Sequence, residues 1–146
     1  MTEQENKELV QQFYDELFNQ KNLAIVDDCL PDNYVCHENM GGGRKEIQRN
    51  PEGVKQMVRM LCSAFPDQKT TIDEISVKED RVATRWTIRG TQYGDFMGIA
   101  PTRRQIAISG TCLDRVIDGK IVESWVNWDV NDLLRQLEVE EWKIAA

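Results

Sequence analysis

Apolar residues recur every three or four positions over residues 4–19. Leu9, Val10, Phe13, Tyr14, Leu17 and Phe18 share one side, which predicts an amphipathic helix. A second, short helix is predicted at 22–30 from Leu23, Ile25, Val26 and Leu30, with Pro31 as its stop. The stretch NYVCHENM, residues 33–40, reads as a short strand, and GGGRKEIQRNPEG reads as a loop. Pro51 suits the first turn of a third helix, 51–65, with Val54, Met57, Val58, Leu61 and Phe65 on one face. After Pro66 the helical period gives way to alternation. Residues 69–94 predict two strands turning at Lys78–Asp80, and GDFMGIAPT (94–102) predicts a loop. Residues 104–129 predict a further hairpin, with Asp118-Gly119 as its tight turn. A last helix is predicted over 131–142, with Leu133, Leu134 and Leu137 facing inward.

Helices first and a long meander afterwards predict an α+β domain spanning residues 1–146, with antiparallel strands packed against helices. If the sheet curls around the helices it leaves a conical pocket, and inward residues then alternate along each strand. One strand face carries Ile108, Gly110, Cys112 and Asp114. On the last strand, an inward Trp125 takes Glu123, Asn127 and Asp129 with it. Trp86 alternates with Val82, Thr84 and Ile88 and is expected inside. Together with Tyr14, Met57, Leu61, Phe65 and Trp125 it can line a site for a planar apolar ligand, or serve as plain core.

The net charge of −7 and pI near 4.8 exclude a broad basic face, so no nucleic acid and no anionic membrane is expected as partner. No apolar run approaches the length of a membrane span and the N-terminus has no signal-peptide core, so a cytoplasmic protein is expected. The four cysteines are widely spaced and a lone histidine does not complete a zinc set. They read as reduced, buried thiols, with no metal and no cofactor expected. His37 titrates near working pH and suits acid/base chemistry. Asp129 reads either as a helix cap ahead of Val130 or as a base in an apolar mouth. Phe96 and Met97, in the glycine-flanked loop, read either as a lid or mouth of the cavity or as dimer interface. Tyr14 and Tyr34 can donate to an enolate oxygen. Asp114 and Glu123 beside Arg115 read as paired strand charges.

The segments Gly90-Thr91, GDFMGIAPT (94–102), Arg115, DGKIVESW (118–125) and Gln136-Leu137 together resemble the SnoaL-like polyketide cyclase family, of the nuclear transport factor 2-like superfamily. The front half resembles it more loosely, through 13–38 and Phe65-Pro66-Asp67. The resemblance implies a cone-shaped α+β barrel, a homodimer and a deep apolar pocket. It also implies cofactor-free ring closure, isomerisation or dehydration of a carbonyl compound. It places the family's acid/base Asp at Asn127 and its assisting His at Cys112, so both positions depart from the pattern. It places a common His at His37. The expected enzyme therefore binds a polyketide-like carbonyl compound, Asn127 holding a substrate oxygen while His37 and Asp129 exchange the proton. A non-catalytic binder and a hydrolase opening an ester or strained ring are the rival readings.

Overall fold

The computed structural model describes residues 1–139. Helix α1 (Glu3–Tyr14) starts in a capping box, Thr2 Oγ1 accepting from Glu5 N and the Glu5 carboxylate from Thr2 N. It widens into a π-helical turn, Asp15–Asn19, which buries Leu17 and Phe18 in succession. Helix α2 (Ala24–Cys29) follows. Strand β1 (Val35–Asn39) pairs with β2 (Ile47–Arg49), a strand inside the stretch expected to be loop. Helix α3 (Pro51–Ala64) has Asn50 as N-cap, accepting from Gly53 N at 2.8 Å, and Pro51 in its first turn.

The long strands are β3 (Lys69–Lys78), β4 (Arg81–Thr91), β5 (Gln105–Ile117) and β6 (Lys120–Trp128), and α4 (Val130–Gln136) closes the described chain. The expected last helix ran to 142; α4 ends sooner, and residues 140–142 lie outside the described ones. The curved, unclosed sheet has the order β2-β1-β6-β5-β4-β3 and is antiparallel except where β1 runs parallel to β6. Helices cover its inner face, and Val10, Leu17, Val26, Val58, Phe65, Val82 and Ile121 are almost fully buried between the layers. Among the described residues no helix is long and apolar enough to cross a membrane.

Candidate active site

A cavity of about 140 Å³ remains between the helices and the inner sheet face. Its size is comparable to a cavity that holds one benzene-like ring. Of the residues expected to bind substrate, Tyr14, Tyr34, Met57, Leu61, Phe65, Trp86, Phe96, Met97 and Cys112 all line it. Phe96 meets Phe65 edge-on at 5.3 Å, so the 94–102 loop closes against α3. Gln92, fully buried, pins that loop. Its amide nitrogen donates to Gly94 O and Ile99 O, and its amide oxygen accepts from Thr102 N and Oγ1.

Strand register arranges the inner side chains in rows. Cys36, Ser124, Asp114 and Val82 lie opposite one another on β1, β6, β5 and β4; Glu38, Val126, Cys112 and Thr84 form the next row. Beyond it Trp128, Gly110 and Trp86 form a third. Gly110 is bare because the Trp86 ring lies over it: a Cβ there would be 2.4 Å from Trp86 Cζ2.

Two of these rows carry a carboxyl group. Asp114 is 1% exposed and sits behind Tyr14, Cys112 and Ser124, which reach the cavity. The Tyr14 hydroxyl donates to Asp114 Oδ2 at 2.6 Å, and the Ser124 hydroxyl donates to Oδ1. The Cys112 thiol stands 3.5 Å from Oδ2 and 2.8 Å from the Tyr14 oxygen, and Tyr34 reaches the same Ser124. Burial raises the Asp114 pKa against the pull of the Ser124, Tyr14 and Cys112 hydrogen bonds. Burial, then the Asp114 charge, pushes Tyr14 and Cys112 well up, so both stay protonated donors.

Glu38 is the second carboxyl. It is 9% exposed and lines the cavity, with Oε1 accepting from Arg49 Nε at 2.9 Å and Oε2 from Trp128 Nε1 at 2.8 Å. With rows about 7 Å apart and strands about 4.8 Å apart, Glu38 and Asp114 have Cα atoms roughly 12 Å from each other. Glu38 itself and the Tyr14 hydroxyl in front of Asp114 thus reach one cavity from different rows.

The expected proton carriers sit elsewhere. Asn127 is exposed on the outer sheet face, and Glu123 and Trp125 share that face, while Ser124, Val126 and Trp128 point in. A β-bulge inverts the expected parity: Val116 faces Ile121 but Arg115 faces Glu123, leaving Val122 extra. His37 also faces outward. Its Nε2 contacts Glu123 at 2.7 Å, its Nδ1 contacts Glu46 at 3.0 Å, and its ring stacks on Trp125 at 5.6 Å. No pairing of His37 with Asn127 or Asp129 spans the cavity. Asp129 is the exposed N-cap of α4, its Oδ1 accepting from Asn131 N at 2.9 Å. Asp114 does not pair with Arg115, whose partner is Asp80.

The signal for the carboxyls was present in the alternation. Asp114 interrupts the inner stripe Ile106-Ile108-Gly110-Cys112-Val116, and Glu38 interrupts Tyr34-Cys36-Met40. A charge on an otherwise apolar strand face is the informative exception.

The SnoaL-like polyketide cyclase family model matches residues 8–137. No curated protein sequence matches the chain significantly. Among solved structures, the chain is similar to wild-type IdmH, a candidate polyketide cyclase from Streptomyces antibioticus. The two are 31% identical, with TM-score 0.78 over 92% of this chain and 99% of that one. AclR, a candidate hydroxylase from Streptomyces galilaeus, is 26% identical with TM-score 0.81 over 97% of this chain and 89% of that one. TsrD from Streptomyces laurentii shares the fold at 23% identity, with TM-score 0.80 over 95% and 98%. With a match running almost from end to end, the chain belongs to the SnoaL-like polyketide cyclase family.

Proposed function

We propose that the protein is a cofactor-independent acid/base enzyme that cyclises or isomerises an apolar, polyketide-like carbonyl compound. The observation that carries this reading is the pair of carboxyl clusters facing one apolar cavity from adjacent rows. Aldol-type closure needs one group to take a C–H proton and another to protonate the carbonyl oxygen under attack. Glu38, an acceptor-only carboxylate at the wall, suits the first task. Tyr14 suits the second. Its hydroxyl donates to Asp114 in the resting site; burial shifts Asp114 toward its protonated form, and in that form Asp114 would donate to the Tyr14 oxygen and free the phenol hydrogen for the substrate. Isomerisation uses the same pair, the proton leaving one carbon and returning at another.

The family resemblance supports a homodimer through the outer sheet face, where Leu113 and Trp125 are half-buried. Sedimentation that stays monomeric at high micromolar concentration would remove that part.

The test uses propiophenone in D2O, with loss of its α-proton signal followed by NMR. Glu38→Gln and Tyr14→Phe should each slow exchange by about 10²-fold or more, while His37→Ala and Asp129→Asn leave it unchanged. Full rate in both cavity variants would overturn the assignment of proton carriers. Binding without exchange in the wild type would mark a non-catalytic binder. The two inward carboxyls also favour hydrolytic ring opening by an activated water as a second reading; incorporation of 18O from solvent into product distinguishes it.

A further inference from the structure

We infer that the outer end of the Arg49 guanidinium is a subsite for a planar pair of oxygens, and that a 1,3-dicarbonyl group of the ligand docks there. The inference rests on the acid/base reading of the cavity and names the group it recognises. Arg49 ends β2 opposite Cys36, and its side chain, 17% exposed, lines the cavity beside Glu38. Of its five N–H donors, the one on Nε is taken by Glu38 Oε1. Among the described residues nothing accepts from its two terminal nitrogens. Apolar surroundings make such idle donors expensive once a ligand has expelled water, unless the ligand itself supplies acceptors.

Geometry narrows the acceptor. The guanidinium is held from behind: Glu38 grips Nε and is itself fixed by Trp128. Gly53 leaves room for the stem, since a Cβ there would stand 3.3 Å from Arg49 Cβ. A fixed planar fork matches two coplanar oxygens, as in a carboxylate or a 1,3-dicarbonyl. Charge then decides between them. Arg49 and Glu38 already form a neutral pair, and a ligand carboxylate would set two anions on one cation. A 1,3-dicarbonyl arrives neutral and gains charge only when its central C–H bond breaks. That proton passes to the adjacent Glu38, and the electron pair spreads over the two oxygens facing Arg49. No oxidant or further reactant is needed.

The test measures binding of 1-phenylbutane-1,3-dione, benzoate and toluene by NMR titration of the wild type, Arg49→Lys, Arg49→Met and the neutral-paired double variant Glu38→Gln/Arg49→Met. Both Arg49→Met and Arg49→Lys should weaken the dione by about tenfold or more, because lysine keeps the charge but lacks the fork. The double variant, which strands no buried charge, should show the same loss. Toluene affinity should stay within about twofold in every variant that melts cooperatively. Dione affinity undiminished in Arg49→Met and in the double variant, with toluene still bound, overturns the subsite and leaves the cavity reading standing. Arg49-dependent benzoate binding tighter than the dione overturns the dicarbonyl assignment. Failure of all three probes to bind the wild type overturns the cavity reading and this inference together.

Discussion

Gly110→Ala tests the row geometry on which the cavity depends. The new methyl would lie 2.4 and 2.6 Å from Trp86 Cζ2 and Cη2 and 2.7 Å from Asn127 O. Carbon atoms pack at about 3.5–4.0 Å, so the overlap with the indole is roughly 1 Å. The Asn127 carbonyl belongs to the β5–β6 ladder and has little freedom, which leaves the Trp86 ring to move, into the cavity. Overpacking of this kind costs about 1–3 kcal/mol. For a chain of this length that is a fall in Tm of roughly 3–10 °C. Thermal unfolding followed by circular dichroism measures it. Trp86→Phe deletes the clashing ring carbons but not the carbonyl contact, so Gly110→Ala/Trp86→Phe should be more stable than the two single effects predict by about 1 kcal/mol. A Gly110→Ala protein melting within about 1 °C of wild type, or strictly additive effects, would refute the packing of Trp86 over Gly110.

Further outcomes concern the titrating and capping groups. Asp114 has a raised folded pKa, so its contribution to stability is present below the unfolded value of about 3.9 and is lost as pH rises through the folded one. Asp114→Asn should therefore shallow the decline of the urea midpoint from about pH 4 toward neutrality, and an unchanged decline would contradict a buried titrating carboxyl. The Glu46 and then the Glu123 hydrogen bonds raise His37, whose stabilisation holds below about pH 6.5 and fades as pH rises through its folded pKa. In His37→Gln the fall of Tm above about pH 6.5 should flatten; a fall as steep as wild type speaks against the His37 clamp. Asp129→Ala should cost about 1 kcal/mol as a lost cap, with Asp129→Ser restoring most of it and α-proton exchange untouched. Slowed exchange in a well-folded Asp129→Ala protein would return Asp129 to the chemistry.

Most of the framework was legible because each element carries its own local signal. Pro51 in the first turn of α3 and Asp118-Gly119 between β5 and β6 are short-range devices whose geometry depends on few neighbours. The β2 strand was not legible: Ile47–Arg49 is three residues long, mostly polar, and becomes a strand only by pairing with β1. The end of α1 misled differently. A uniform helical period runs through residue 19, yet the turn widens at Asp15, and nothing in the pattern distinguishes a π-turn from a regular one. The cavity walls were legible from apolar alternation, since Trp86, Met57 and Phe65 each lie on a continuous stripe. Its carboxyls left a signal too, but Asp114 reads as a paired strand charge and Glu38 passes unremarked beside His37, while His37 and Asp129 draw the chemistry because their residue types suit proton transfer in isolation.

What the sequence could not disclose is the face of the last strand, and one residue controls it. Ile121 and Ser124 are both buried on the inner side although three positions separate them, an arrangement that strict alternation forbids and an extra residue at Val122 permits. Both inner clusters draw on this inversion. With regular alternation from Ile121, Ser124 would leave Asp114 without its second hydroxyl donor, and Trp128 would turn away from Glu38. Glu123 and Asn127 would enter the apolar layer instead, where the polar groups of each would need partners. On the outer face, Trp125 would abandon His37. The bulge thus selects which polar residues of β6 meet the cavity: a hydroxyl for Asp114 and an indole N–H for Glu38. Both are donors aimed at the carboxyl groups on which the proposed proton transfers depend.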